Sequence, residues 1–152
     1  MVEEGSQAPD FELKSDAGET VKLSQFRGRP VVLYFYPRDD TPGCTKEACA
    51  FRDSYDEYLA QDAVILGVSR DGEESHRKFK EKYDLPFTLL SDPDHEVAEV
   101  YGVWAEKSMY GRKSMGIVRS TFVIAADGTI ARAMRGINVP GHSDKVLEAL
   151  AA

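Results

Sequence analysis

The chain holds two cysteines, Cys44 and Cys49, five positions apart. A thiolate can attack a peroxide or a disulfide, and a second thiol within reach can close a disulfide with the oxidised first. The residues before Cys44 favour such a thiolate. Thr41 is a suitable N-cap, Pro42 suits the first helical position, and Gly43 admits a close approach to the backbone. Cys44 then falls in the first turn, where unpaired N–H groups and the positive dipole end favour an anion. The alternative is two inert buried thiols, because free cysteine is among the most buried residue types.

The helix that carries the thiols is expected from about Pro42 to Ala60. Cys44, Ala48, Phe51, Tyr55, Tyr58 and Leu59 form one apolar stripe, so Cys44 points into the body of the protein. Cys49 shares a face with Arg52, Asp53 and Asp56, which reads as solvent-facing. Five helical residues rise about 7.5 Å and turn about 140°, placing the two Cα atoms nearly 9 Å apart. A disulfide needs Cα atoms within about 7 Å. A Cys44–Cys49 bond therefore requires the first turns to unravel.

Strands and helices alternate around this helix, predicting an α/β protein with a largely internal sheet. Residues 11–14 and 20–23 read as a hairpin around Asp16-Ala17-Gly18. Val31 to Tyr36 is an unbroken apolar run, read as a strand buried on both faces. Residues 63–69 are a second central strand, 73–83 an amphipathic helix, and 87–90 a strand. Ser91-Asp92-Pro93 reads as a helix cap with Pro93 at the first helical position, leading a short helix over 95–101. Residues 119–125 and 129–135 form a hairpin around Asp127-Gly128, and a helix over 143–151 closes the chain. Residues 105–118, with Lys107, Gly111, Arg112, Lys113 and Gly116, read as a mobile basic loop that either contacts substrate or has no role.

The totals narrow the function. The length of 152 residues fits a single domain, 1–152, with a sizeable core. The formal net charge of −7 argues against a nucleic-acid partner. The first ten residues carry two glutamates and no apolar run, and no stretch reaches membrane-spanning length. A cytoplasmic protein without a membrane partner is expected. The histidines, His76, His95 and His142, lack ligand spacing, so neither a metal nor another cofactor is called for.

Pro37-Arg38-Asp39-Asp40-Thr41-Pro42-Gly43-Cys44 has the form P-x-x-x-T-x-x-C after a buried strand. It resembles the active-site signature of peroxiredoxins, and Thr45-Lys46-Glu47-Ala48-Cys49 resembles their atypical peroxiredoxin Q, or bacterioferritin comigratory, branch. Ala8-Pro9-Asp10-Phe11 and Arg119-Ser120-Thr121-Phe122 extend the resemblance over essentially the whole chain. The resemblance implies a thioredoxin-like fold, with a central mixed β-sheet flanked by helices, and a thiol-dependent peroxidase. Cys44 would be the peroxidatic cysteine, becoming a sulfenic acid. Cys49 would resolve it as an intramolecular disulfide, which a thioredoxin-like reductant would reduce. Thr41 would hydrogen-bond the thiolate and the hydroperoxide, Pro37 would shield the pocket, Arg119 would supply positive charge, and Glu47 would order the arginine. A resolving cysteine in the same chain favours a monomer, with a noncovalent dimer left open.

Each residue also has a plain structural reading. Thr41 and Pro42 could simply start a helix, Arg119 could be a surface charge, and Glu47 could be an ordinary early-helix acid. A thioredoxin-like disulfide oxidoreductase is the nearest rival, but it would want C-x-x-C, whereas four residues separate these cysteines. A non-catalytic interaction protein or holdase on the same fold is the rival from another class.

A peroxidase would need more than an acidic thiol. Moving a thiol from about 8.5 to about 6.5 raises its thiolate fraction near pH 7.5 from roughly 10% to roughly 90%. Nucleophilicity falls with a slope near 0.4–0.5, so the same shift costs roughly eightfold. A large rate must come from donors aimed at the leaving oxygen, for which Arg119, Thr41 and the N–H groups of Gly43 and Cys44 are the candidates.

Overall fold

The computed structural model describes residues 2–152 and, for Met109, the backbone alone. Its elements are β1 (Glu12–Ser15), β2 (Thr20–Lys22), a 3₁₀ turn (Leu23–Phe26), β3 (Val31–Phe35), α1 (Pro42–Asp53), α2 (Tyr55–Ala60), β4 (Val64–Ser69), α3 (Glu73–Tyr83), β5 (Thr88–Ser91), α4 (Glu96–Val100), β6 (Trp104–Met109), β7 (Arg112–Ile117), β8 (Ser120–Ile124), β9 (Ile130–Arg135) and α5 (His142–Ala151).

Seven strands form one mixed sheet in the order β2-β1-β5-β4-β3-β8-β9. β3, β4 and β5 run parallel, while β8 lies antiparallel to β3 and β9 antiparallel to β8. The run Val31–Phe35 is buried throughout because it lies in the sheet interior with a core on each face. Leu33 and Phe35 pack with Leu66, Phe122 and the α4 side. Val32 and Tyr34 face the other way, toward Ala48, Phe51, Phe79 and Val146 of α1, α3 and α5. Alternation along one strand thus builds both halves of a helix–sheet–helix sandwich.

Three expectations need correction. The single helix over Pro42–Ala60 is two helices, meeting at Ser54, whose N–H bonds back to Ala50 while its carbonyl accepts from Glu57 and Tyr58. Tyr58 stays on the inward face, against Phe51, and its hydroxyl lies 2.8 Å from Ser143 Oγ on α5. The break changes the helical phase, so Leu59 leaves the buried stripe and is exposed, while Tyr55 is half-buried.

The presumed loop over 105–118 is a regular antiparallel hairpin, β6–β7, outside the main sheet. Its turn uses Tyr110 and Gly111, both at positive φ, the geometry that twists with a two-residue hairpin. The third correction concerns the helix start near residue 91. Pro93 is outside α4, which begins at Glu96 behind a left-handed His95. Asp92 still caps this helix, reaching forward to accept from the N–H groups of Val97 and Ala98.

Candidate active site

β3 ends at Phe35, and the loop 37–41 carries the chain from the C-terminal end of this strand into α1. β8 lies beside β3 with Ser120 opposite Phe35. That register brings Arg119, the residue before β8, to the end of β3 where α1 begins. Residues 75 positions apart in sequence meet there: Arg119 Nη2 donates to Cys44 Sγ at 3.4 Å. Nη1 of the same guanidinium donates to Glu47 Oε1 at 2.8 Å. One planar fork thus spans the thiol and the carboxylate one helical turn below it.

Gly43 makes this contact possible. A Cβ at position 43 would stand 2.9 Å from Arg119 Nη2. The close approach expected at this glycine is an approach by the arginine. Cys44 is buried at 1% exposure and packs with Ala48 and Phe51, as the apolar stripe predicted. Cys49 is half-buried, and both cysteines are free thiols on the unbroken α1.

The electrostatics follow from burial. Glu47 is only 2% exposed, and desolvation pushes its carboxyl up to about 7 even though Arg119 pulls it down. Its second oxygen, Oε2, is buried and finds no hydrogen-bond partner among the described residues. Burial opposes the charge on Arg119, but the facing Glu47 and Cys44 outweigh it and hold the guanidinium above its ordinary range. Glu47 is therefore a buried member of the site and not a solvated early-helix acid, and Arg119 is not a free surface charge.

Thr41 is the N-cap of α1 by backbone conformation, but its side chain makes no capping bond. Its hydroxyl donates instead to the Arg38 carbonyl at 2.9 Å. With the proton directed there, Oγ1 has lone pairs left to accept a bond and no second proton to give. Pro37 follows directly on the buried Tyr36 and is itself half-buried.

One further charge lies near this site. Lys107 on β6 runs its aliphatic stem across Gly116 of β7, where a Cβ would meet Lys107 Cδ at 3.3 Å. Burial lowers its pKa, Arg119 lowers it further, and Cys44 opposes both. The sequence named Lys107 only within a basic loop, because the hairpin pairing that orients it was not legible there.

Comparison with known proteins places the chain. Residues 5–133 match the AhpC/TSA family. Peroxiredoxin Bcp of Bacillus subtilis (strain 168) is 52% identical over 149 residues, covering 98% of this chain and 95% of the relative. The bacterioferritin comigratory protein of Xanthomonas campestris, studied for alkyl peroxide reduction, superposes with a TM-score of 0.91 at 39% identity, covering 99% of this chain and 96% of that one. A cysteine variant of Xylella fastidiosa PrxQ superposes with a TM-score of 0.93 at 35% identity, covering 99% and 96%. The sheet and helices described above are a thioredoxin-like fold. The chain belongs to the AhpC/TSA family, among its Bcp and peroxiredoxin Q members.

Proposed function

We propose that the chain is a thiol-dependent peroxidase in which Cys44 reduces hydrogen peroxide and organic hydroperoxides. The observation that carries this reading is the Arg119 fork on Cys44 Sγ at 3.4 Å and Glu47 at 2.8 Å, at the start of α1. A cation fixed by a buried partner is pre-organised where negative charge shifts from sulfur to the leaving oxygen.

The Cys44 thiolate attacks the terminal peroxide oxygen. The O–O bond breaks, sulfur gains oxygen as a sulfenic acid, and the leaving oxygen departs as water or an alcohol after taking a proton. The Thr41 hydroxyl, its own proton on Arg38, accepts from the bound peroxide and orients it. Arg119 and the N–H groups of Gly43 and Cys44 face the developing charge. Pro37 closes the pocket from the β3 side.

Cys49 then attacks the sulfenic sulfur, releasing water and forming the disulfide. An intact helix holds the Cα atoms nearly 9 Å apart, beyond disulfide reach, so α1 must unravel between the cysteines. Glu47 lies inside that segment, so unravelling also parts it from Arg119. A thioredoxin-like dithiol restores both thiols. The working unit is read as one domain acting as a monomer in the cytoplasm; among the described residues, no helix is long and apolar enough to cross a membrane.

The test is peroxide consumption with a thiol reductant. Wild type should turn over repeatedly, Cys44→Ser should not, and Cys49→Ser should stop after one equivalent unless a small thiol resolves it. Turnover by Cys44→Ser would sink the reading.

A further inference from the structure

The loop 37–41 that delivers Thr41 and Cys44 is pinned from behind by a buried polar cluster outside the peroxide chemistry. His76 of α3 is fully buried. Its Nε2 lies 2.9 Å from the Leu90 carbonyl, which can only accept, so Nε2 carries a proton. Its Nδ1 lies 2.7 Å from Asp39 Oδ2. That contact requires one more proton between the two atoms, and the pair is neutral overall wherever along the bond it sits.

Both oxygens of Asp39 accept further hydrogen bonds. Oδ1 accepts from the Tyr36 hydroxyl at 2.5 Å and Oδ2 from the Ser75 hydroxyl at 2.8 Å. The Asp39 N–H donates to Asp71 Oδ2 at 2.8 Å, and Asp71 is itself fixed by the Ser69 hydroxyl at 2.6 Å. The next residue, Asp40, is held at φ 56°, in the left-handed region, by Lys82 at 2.8 Å and the Tyr83 hydroxyl at 2.9 Å. Asp39, Asp71 and His76 bring potential metal-ligand atoms within 4.8 Å of one another. Those atoms already serve the hydrogen bonds just named, which makes the group a tether.

We propose that Asp39 and His76 are positioning residues for the peroxide step: their buried contact fixes the 37–41 backbone and thereby aims the Thr41 hydroxyl and the first turn of α1. This rests on the peroxidase reading above. The Thr41 hydroxyl bonds to Arg38, the neighbour of Asp39, so a loop released at Asp39 loses the acceptor that orients it. Resolution by Cys49 begins with α1 unravelling and does not need this aim.

The test compares Asp39→Ala with Asp39→Asn. The carboxamide can donate to Nδ1 of a His76 protonated on Nε2 and still accept from Tyr36, so Asp39→Asn keeps the tether that Asp39→Ala removes. Asp39→Ala should slow the peroxide step about 10- to 100-fold, the cost of a misplacement near 1 Å, without slowing disulfide closure. Asp39→Asn should stay within about threefold of wild type in both steps. Amide hydrogen exchange over residues 38–45 should speed up in Asp39→Ala and not in Asp39→Asn. If Asp39→Ala does not fold, Ser75→Ala and Tyr36→Phe each remove one donor to the same carboxylate and should show the same split at smaller size.

A peroxide step unchanged in Asp39→Ala, or equal slowing of both steps, would overturn the proposal. If wild type itself leaves peroxide untouched, the peroxidase reading fails. The exchange measurement then still decides the tether, which fails if both variants match wild type.

Discussion

Replacing Arg119 with alanine should separate two roles a cation can play beside a thiol. The guanidinium touches Cys44 Sγ at 3.4 Å and is held by Glu47 at 2.8 Å. If it only favoured the thiolate, its removal near pH 7.5 could cost at most about tenfold, with nucleophilicity recovering most of that loss. If it stabilises charge on the leaving oxygen, losing one such donor costs about 10²–10³ in rate. The fold should survive, because an unpaired, buried Glu47 moves further toward its neutral form once its partner is gone. The assay is rapid mixing of reduced protein with hydrogen peroxide, beside the pH profile of alkylation by iodoacetamide, which has no leaving peroxide oxygen. The expected result is a loss near 10²–10³ with peroxide and below about tenfold with iodoacetamide. Equal losses in the two reactions would refute the transition-state role.

Three further outcomes are expected. Gly43→Ala should slow the peroxide step at least about tenfold with little change in thermal stability, because the new Cβ would stand 2.9 Å from Arg119 Nη2 and push the guanidinium off Cys44, a side-chain shift that moves no backbone. Kinetics and a melting curve on the same sample check this. Glu47, at about 7 folded against 4.5 unfolded, holds its proton more tightly in the native state, so its contribution is complete below pH 4.5 and is lost as pH rises through 7. Denaturant titrations should therefore show wild type losing up to about 3 kcal/mol relative to Glu47→Gln between pH 4.5 and 7.5. Gly67→Ala should destabilise the sheet by about 1–3 kcal/mol, since its Cβ would stand 2.9 Å from Tyr34 and 3.0 Å from Leu89, as a urea midpoint would report.

Much of this site was legible in the chain because its strongest signals are local. The Cys44, Ala48 and Phe51 spacing marks a buried helical face, and Thr41-Pro42 marks where the helix begins. Arg119 was legible only through resemblance, since its approach to Cys44 depends on the pairing of β8 with β3. The burial of Glu47 was hidden because an acid in an early helical turn is ordinarily solvated, and its partner is 72 positions away. The β6–β7 hairpin was missed because it meets the core only at its base, through Trp104 and Ile117, while the sequence between them lacks apolar alternation. The helix break at Ser54 was missed because no proline or glycine marks it in the sequence. The Asp39–His76 contact joins a loop to a helix 37 residues later and leaves no periodic trace.

The most direct test of the account is the intact mass of reduced protein after one equivalent of hydrogen peroxide. Wild type should lose two hydrogens, Cys49→Ser should gain one oxygen on Cys44 or form an intermolecular disulfide, and Cys44→Ser should stay unchanged. Wild type that remains fully reduced, or Cys44→Ser that oxidises as fast as wild type, would contradict the assignment of Cys44 as the thiol that meets the peroxide.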